Sequence, residues 1–234
     1  GNLLQQMYNI ADTWVVGRFL GAEALAAVGS SYTLMVFLTS IIIGLCMGSG
    51  AAISMQYGSG DYDRMRQSVF MSFVLIGGIS LVLNLLVYVG MDVLLFVLRV
   101  PEEIRPGMKQ YLWIIFAGIL ATFLYNYFSN LLRAIGNSVT PLVFLAVSAV
   151  LNIVLDLLCV LVFKWGIAGA AAATVFSQYV SGIGILIYTL RKFPQLLPKR
   201  EHRKWDKANL TNILNLSVMT CVQQSIMNFG ILMV

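Results

Sequence analysis

The stretch VLNIVLDLLCV, residues 150–160, holds Asn152 and Asp156 four positions apart in an otherwise apolar run. On a helix that spacing puts both side chains on one face, one turn above the other, so they act on the same neighbour. What they do there depends on whether the run lies in a membrane. The chain is 59% hydrophobic and 11% charged, against about 25% charged residues in an ordinary soluble domain. It reads as an all-α membrane protein, each span needing roughly 20 apolar residues to cross the bilayer core.

Working outward from that run, the pattern predicts six helices and part of a seventh. The first covers about residues 1–18 and the second runs from about Ala24 to Tyr57. GSGDYDRMRQ (58–67) breaks the pattern, with Asp61 as N-cap of a third helix ending near Val89. GMDVLLFVLRV (90–100) is too short to span and reads as an interfacial segment or the tail of the third helix. Pro101, Glu102 and Glu103 read as the start of the fourth, with proline and acids in its first turn. That helix reaches about Arg133, IGNSVTP (135–141) turns the chain, and the fifth helix runs to Phe163. The sixth, about Ile167 to Leu190, carries the small residues GAAAAT (169–174), which permit close helix approach.

RKFPQLLPKREHRKWDKAN (191–209) is the one soluble-looking stretch, and LTNILNLSVMTCVQQSIMNFGILMV (210–234) is a seventh apolar segment. The expected organisation is a six-helix lobe over 1–191 with its first helix truncated, a basic linker over 192–208, and the start of a second lobe over 209–234. QQMYNIADTWVV (5–16) laid over QQSIMNFGILMV (223–234) matches both glutamines and the last valine. That faint echo falls where a repeat of a six-helix unit would begin, as in transporters built from two parallel halves.

Ten of the fifteen Lys and Arg residues follow helices two, four and six: Arg64, Arg66, Arg133 and the seven in 191–207. The excess of basic residues in cytoplasmic loops then predicts a multi-pass cell-membrane protein with cytoplasmic N-terminus and linker. Trp113, Trp165 and Tyr111 fall near predicted helix ends, where interfacial aromatics sit. The net charge of +5 is therefore topological, and no basic fold with interleaved aromatics accompanies it, so no nucleic-acid partner is expected.

Cys46, Cys159 and Cys221 lie in separate apolar segments and read as small core residues, and His202 stands alone in the linker. No nucleophile–base set, phosphate loop or paired-histidine motif is visible, so the chain is not expected to be an enzyme and needs no cofactor. The first residues carry Gln, Asn and Asp, unlike a cleavable signal peptide.

An Asp at mid-span costs about 2.5 to 3.5 kcal/mol on insertion, so such residues usually face an interior pathway. Asp12 and Asp156 are the two candidates. Interhelical packing bonds would explain Asp156, and a place near the outer interface would explain Asp12. Their company favours function. Tyr8 lies one turn before Asp12, Asn152 one turn before Asp156, and Thr174 sits at matching depth in the sixth helix. Carboxylate, amide and hydroxyl oxygens are hard ligands suited to Na+, and the same carboxylates could carry H+ instead. Either way Asp12, Asn152, Asp156 and Thr174, with Tyr8 beside them, read as a cation site.

QQMYNIADTWVVGRFLGAEALAAVG (5–29) resembles the first-helix signature of the multidrug and toxic compound extrusion (MATE) family. GSGAAISMQYGSGD (48–61), SNLLRAIGNSVTP (129–141) and LNIVLDLLCVLVFKWGIAGAAAAT (151–174) reinforce the likeness across all six helices, and the Asn152 and Asp156 pair is most like the DinF-like branch. The resemblance implies half of a fold of twelve helices in two lobes that open alternately to the two sides of the membrane. It implies multidrug efflux, a Na+ or H+ antiport that exports bulky organic cations or amphiphiles. Carried over by position, the coupling ion would sit at Asp12, Asn152, Asp156 and Thr174. Gln5, Asn126 and Asn130 would lie on the substrate-facing wall, unless they make ordinary interhelical bonds. The expected partners are the small-molecule substrate, membrane lipids and the missing second lobe. Two rival readings remain: a lipid-linked sugar flippase, which calls for cations within the helices, where Arg133 and Lys164 sit only at helix ends, and a non-transporting membrane scaffold, which leaves both aspartates unexplained.

Overall fold

A computed structural model describes the backbone of residues 2–232 and the side chains of residues 7 and 9–230. The described residues are almost wholly helical and contain no strand. In chain order the helices are α1 (Asn2–Phe19), α2 (Ala22–Gly58), α3 (Tyr62–Val89), α4 (Met91–Val97), α5 (Arg105–Ile115), α6 (Ile119–Ala134), α7 (Val139–Leu157), α8 (Gly166–Lys192) and α9 (Lys207–Leu232). A 3-10 turn over Phe116–Gly118 joins α5 to α6, and a π turn over Leu158–Val162 prolongs α7. Among the described residues, five stretches are long and apolar enough to cross a membrane: α2, α3, α5 through α6, α7 with its π turn, and α8. Leu85, Leu86 and Val89 stand exposed on α3, as residues facing lipid do.

Local chemistry sets most of the boundaries. Asp61 caps α3 as expected, its Oδ1 accepting the Arg64 N–H at 3.2 Å, and Gly60 supplies the left-handed turn before it (φ +78°). Of the two readings of residues 90–100, the tail of the third helix is ruled out: α4 is separate, and Arg99 at φ +51° ends it. The next helix does not start at Pro101 either. The Pro101 carbonyl accepts from the N–H groups of Ile104 and Arg105 to make a turn, Glu102 and Glu103 stay outside the helix, and Pro106 occupies the first turn of α5.

Tertiary contacts divide the chain into two compact units. One comprises Gly1–Met35, Val82–Ala121 and Leu142–Ser181. In it the 3-10 turn interrupts the α5–α6 ladder, and the Tyr179 hydroxyl donates to the half-buried Ala117 carbonyl at 2.5 Å. Lys109 on α5 reaches Asp92 on α4 at 2.7 Å, and the Tyr88 hydroxyl donates to the Trp113 carbonyl at 2.8 Å. Gly169 on α8 lies so close to the π turn that an added Cβ would fall 3.1 Å from the Cys159 carbonyl oxygen.

The other unit comprises Val36–Leu81, Thr122–Pro141 and Gly182–Val234. Phe73, Phe123, Tyr127 and Phe128 form an aromatic cluster whose buried phenol, on Tyr127, donates to the Val69 carbonyl at 2.8 Å. α9 lies against α2 at Gly44 and Gly48, where a Cβ on Gly44 would come 2.6 Å from the Cα of Cys221. Ser217 Oγ donates to the Leu45 carbonyl across the same contact. A buried triad, Gln56, Ser68 and Asn209, ties α2, α3 and the start of α9 at 2.6 to 2.9 Å.

The linker is folded onto α3, which corrects the reading of His202 as isolated. His202 is buried. Its Nδ1 accepts the Lys199 N–H at 3.2 Å, which leaves Nε2 to donate to Asp63 at 3.0 Å. Cys46 and Cys159 are buried as expected, and Cys221 is half-buried.

Candidate functional site

The paired polar residues of α7 meet α1 and α8 within a single unit. Asn152 and Asp156 are fully buried, Thr174 is 2% exposed and Asp12 8%. Asn152 Nδ2 donates to Thr174 Oγ1 at 3.2 Å, and Thr174 in turn donates to the Ala170 carbonyl at 3.1 Å. With its amide nitrogen held by Thr174, Asn152 turns its oxygen away from that bond. The carboxyl groups of Asp12 and Asp156 are near enough to interact electrostatically.

Four buried oxygens at this site find no donor among the described residues: Asp12 Oδ1, Asn152 Oδ1 and both carboxyl oxygens of Asp156. Buried polar atoms are nearly always paired, and a buried charge costs far more than a buried dipole. Two carboxylates facing each other without a donor therefore call for a positive charge between them, either a hard cation or a proton. No three His, Cys, Asp or Glu side chains cluster among the described residues, so the donor set is two carboxylates plus neutral oxygens, the kind that suits an alkali cation.

Access runs through a cavity of about 670 Å³, on whose wall Asp12 and Thr174 both lie. Asn9, Trp14, Tyr32 and Tyr111 line it as well, and Asn9 Nδ2 donates to the Tyr32 hydroxyl at 3.1 Å. Asp156 and Asn152 sit behind Asp12 and Thr174, away from the cavity surface. Tyr111 was expected at the interface and is instead buried in this wall, 4% exposed. Neither it nor Asn9 was expected at the site, although Asn9 lies three residues before Asp12 and so shares its face.

The remaining expected residues are placed as follows. Tyr8 and Gln5 lie outside the residues whose side chains are described. Asn126 and Asn130, in the other unit, are half-buried, and each donates to the carbonyl four residues back on α6, Thr122 and Asn126, at 2.8 Å. Those are bonds within their own helix.

A family profile described as MatE matches residues 1–158. The chain belongs to the MATE family. It is 36% identical over 99% of its length to the probable multidrug resistance protein YpnP of Bacillus subtilis, covering 52% of that protein. It is 29% identical to the probable multidrug resistance protein NorM of Thermotoga maritima, over 99% of this chain and 50% of that one. The chain spans about half the length of the curated relatives it matches. Among solved structures it superposes on an outward-facing multidrug resistance MATE transporter with a TM-score of 0.88 at 24% identity, over 96% of this chain and 50% of the other. An inward-facing one gives 0.85 at 25%, over 96% and 51%. The fold is thus half of a MATE transporter, a multi-pass membrane protein and not an enzyme.

Proposed function

We propose that the chain is the first lobe of a secondary transporter that exports bulky organic compounds, often cationic, in exchange for Na+ or H+. The observation that carries the reading is the set of donorless oxygens on Asp12, Asn152 and Asp156, reached from a cavity past Thr174. Na+ and H+ compete for this set, because each neutralises the same pair of carboxylates. Binding of the ion relieves their repulsion, and its release restores it. That difference couples the site to whatever rearrangement opens the cavity. The second lobe, with its own half of the pathway, completes the transporter.

Na+ needs the neutral oxygens and a proton does not. Thr174→Val keeps the side-chain shape, removes one oxygen and leaves the Asn152 amide without its acceptor. Na+ affinity should then fall about tenfold, the worth of one good polar contact of about 1.4 kcal/mol, while proton binding changes less. Na+-dependent proton release from the purified full-length transporter measures both. Proton release that ignores Na+ in the wild type refutes the shared site, and equal loss of both responses in the variant assigns Thr174 to packing.

The excess of basic residues supports a cytoplasmic location for 192–208. Single cysteines introduced at 195–205 should react with an impermeant maleimide only from the cytoplasmic side, and those near Glu102 only from outside. Labelling of both from one side would overturn the orientation and the span count together.

A further inference from the structure

The second unit holds a cavity of about 520 Å³ formed by the α2–α3 turn, the α6–α7 turn and the chain leaving α8. Its floor is apolar, with Met65, Ile135 and Leu196, and Tyr57 and Tyr62 stand half-exposed at its edge, rings 5.6 Å apart. One cation lines it, Arg66, and that side chain is pinned. Its Nε donates to the Gln195 carbonyl at 2.8 Å, and Nη1 lies 3.8 Å from Asp63. Asp63 spends the same oxygen on His202 at 3.0 Å, so it neutralises Arg66 only in part. The helix ends that frame the cavity are basic: Arg133 closes α6, and Arg191 and Lys192 close α8.

We propose that this cavity binds the headgroup of an anionic glycerophospholipid of the adjoining leaflet. The phosphate sits on the free edge of the Arg66 guanidinium, and the glycerol lies over the apolar floor. Guanidinium matches a phosphodiester with paired N–H donors, and here the side chain is ordered before the lipid arrives. Tyr57 and Tyr62 stand at the facing ends of α2 and α3, and tyrosines are enriched at helix ends at the headgroup level of a membrane. Its volume belongs to the class that holds small organic molecules and far exceeds an inorganic ion. Because Arg66 also holds the Gln195 carbonyl, a bound lipid would brace the linker against α3. The leaflet is the cytoplasmic one if the orientation proposed above holds.

The test uses the full-length transporter purified in a neutral detergent, titrated with dihexanoyl phosphatidylglycerol, with the matching phosphatidylcholine, and with inorganic phosphate. The expected result is about tenfold tighter binding of the glycerol lipid than of the choline lipid, lost in Arg66→Gln. Ile135→Trp, which fills the floor and leaves Arg66 untouched, should weaken both lipids. Equal binding of the two lipids, a preference that survives Arg66→Gln, or lipid affinity unchanged in Ile135→Trp overturns the proposal. Displacement of the lipid by phosphate at equal concentration overturns it in favour of a free-anion site. Binding is read without an ion gradient, so an uncoupled Asp156→Asn protein should bind the lipid normally. Failure of the transport reading would leave this result standing.

Discussion

Asp156→Asn is expected to abolish ion-coupled export while leaving the amount of folded transporter in the membrane unchanged. Asparagine keeps the size and the hydrogen-bonding capacity of the carboxyl group and removes its charge. Asp156 is fully buried, both its oxygens lack donors among the described residues, and its neighbour across the gap is Asp12. Two unit charges about 4 Å apart attract by about 4 kcal/mol at the effective dielectric of a protein, so cation affinity should fall by at least about 100-fold. Efflux of a fluorescent organic cation from proteoliposomes, driven in turn by Na+ and H+ gradients, reads the loss. Export that continues under either imposed gradient would return Asp156 to a packing role.

Gly48→Val should be the most damaging change outside the ion site. A Cβ at Gly48 collides with the Ser217 backbone of α9, and backbone cannot rotate away. Overpacking typically costs about 1 to 3 kcal/mol, and a clash with a neighbouring helix belongs at the upper end, roughly 6–12 °C in melting temperature for a chain of this size. Gly78→Val on α3, where nothing lies within 4 Å, is the control and should melt like the wild type. Equal melting of the two variants would mean that α9 does not rest on α2 in the membrane.

Periodicity and composition made the helices legible, because spans of roughly 20 apolar residues have few alternatives in lipid. The Asn152 and Asp156 pair was legible for the same reason: a carboxylate inside such a run needs explaining. Contacts that join distant residues left no local trace. His202 bonds Asp63 across 139 positions, and no spacing rule reaches that far. Tyr111 looked like an interfacial aromatic because ring chemistry is the same at a bilayer surface and on a cavity wall. Pro101 misled because proline opens turns as readily as helices, and the choice fell to Pro106 five residues on. The π turn after Asp156 differs from ordinary helix by a single extra residue, and its sequence LCVLV carries no signal of its own.

The close seat of α9 on α2 also bears on biogenesis. α9 carries Asn209, Asn212, Asn215, Gln223, Gln224 and Asn228 within an otherwise apolar segment. Each of these amides costs free energy in lipid unless it finds a partner. Gly44 and Gly48 offer α9 a protein surface instead, and Gln56 and Ser68 take up its first amide. A helix synthesised some 170 residues earlier is thus its docking surface, and ribosome-stalled chains should release α9 into the bilayer only when α2 is intact.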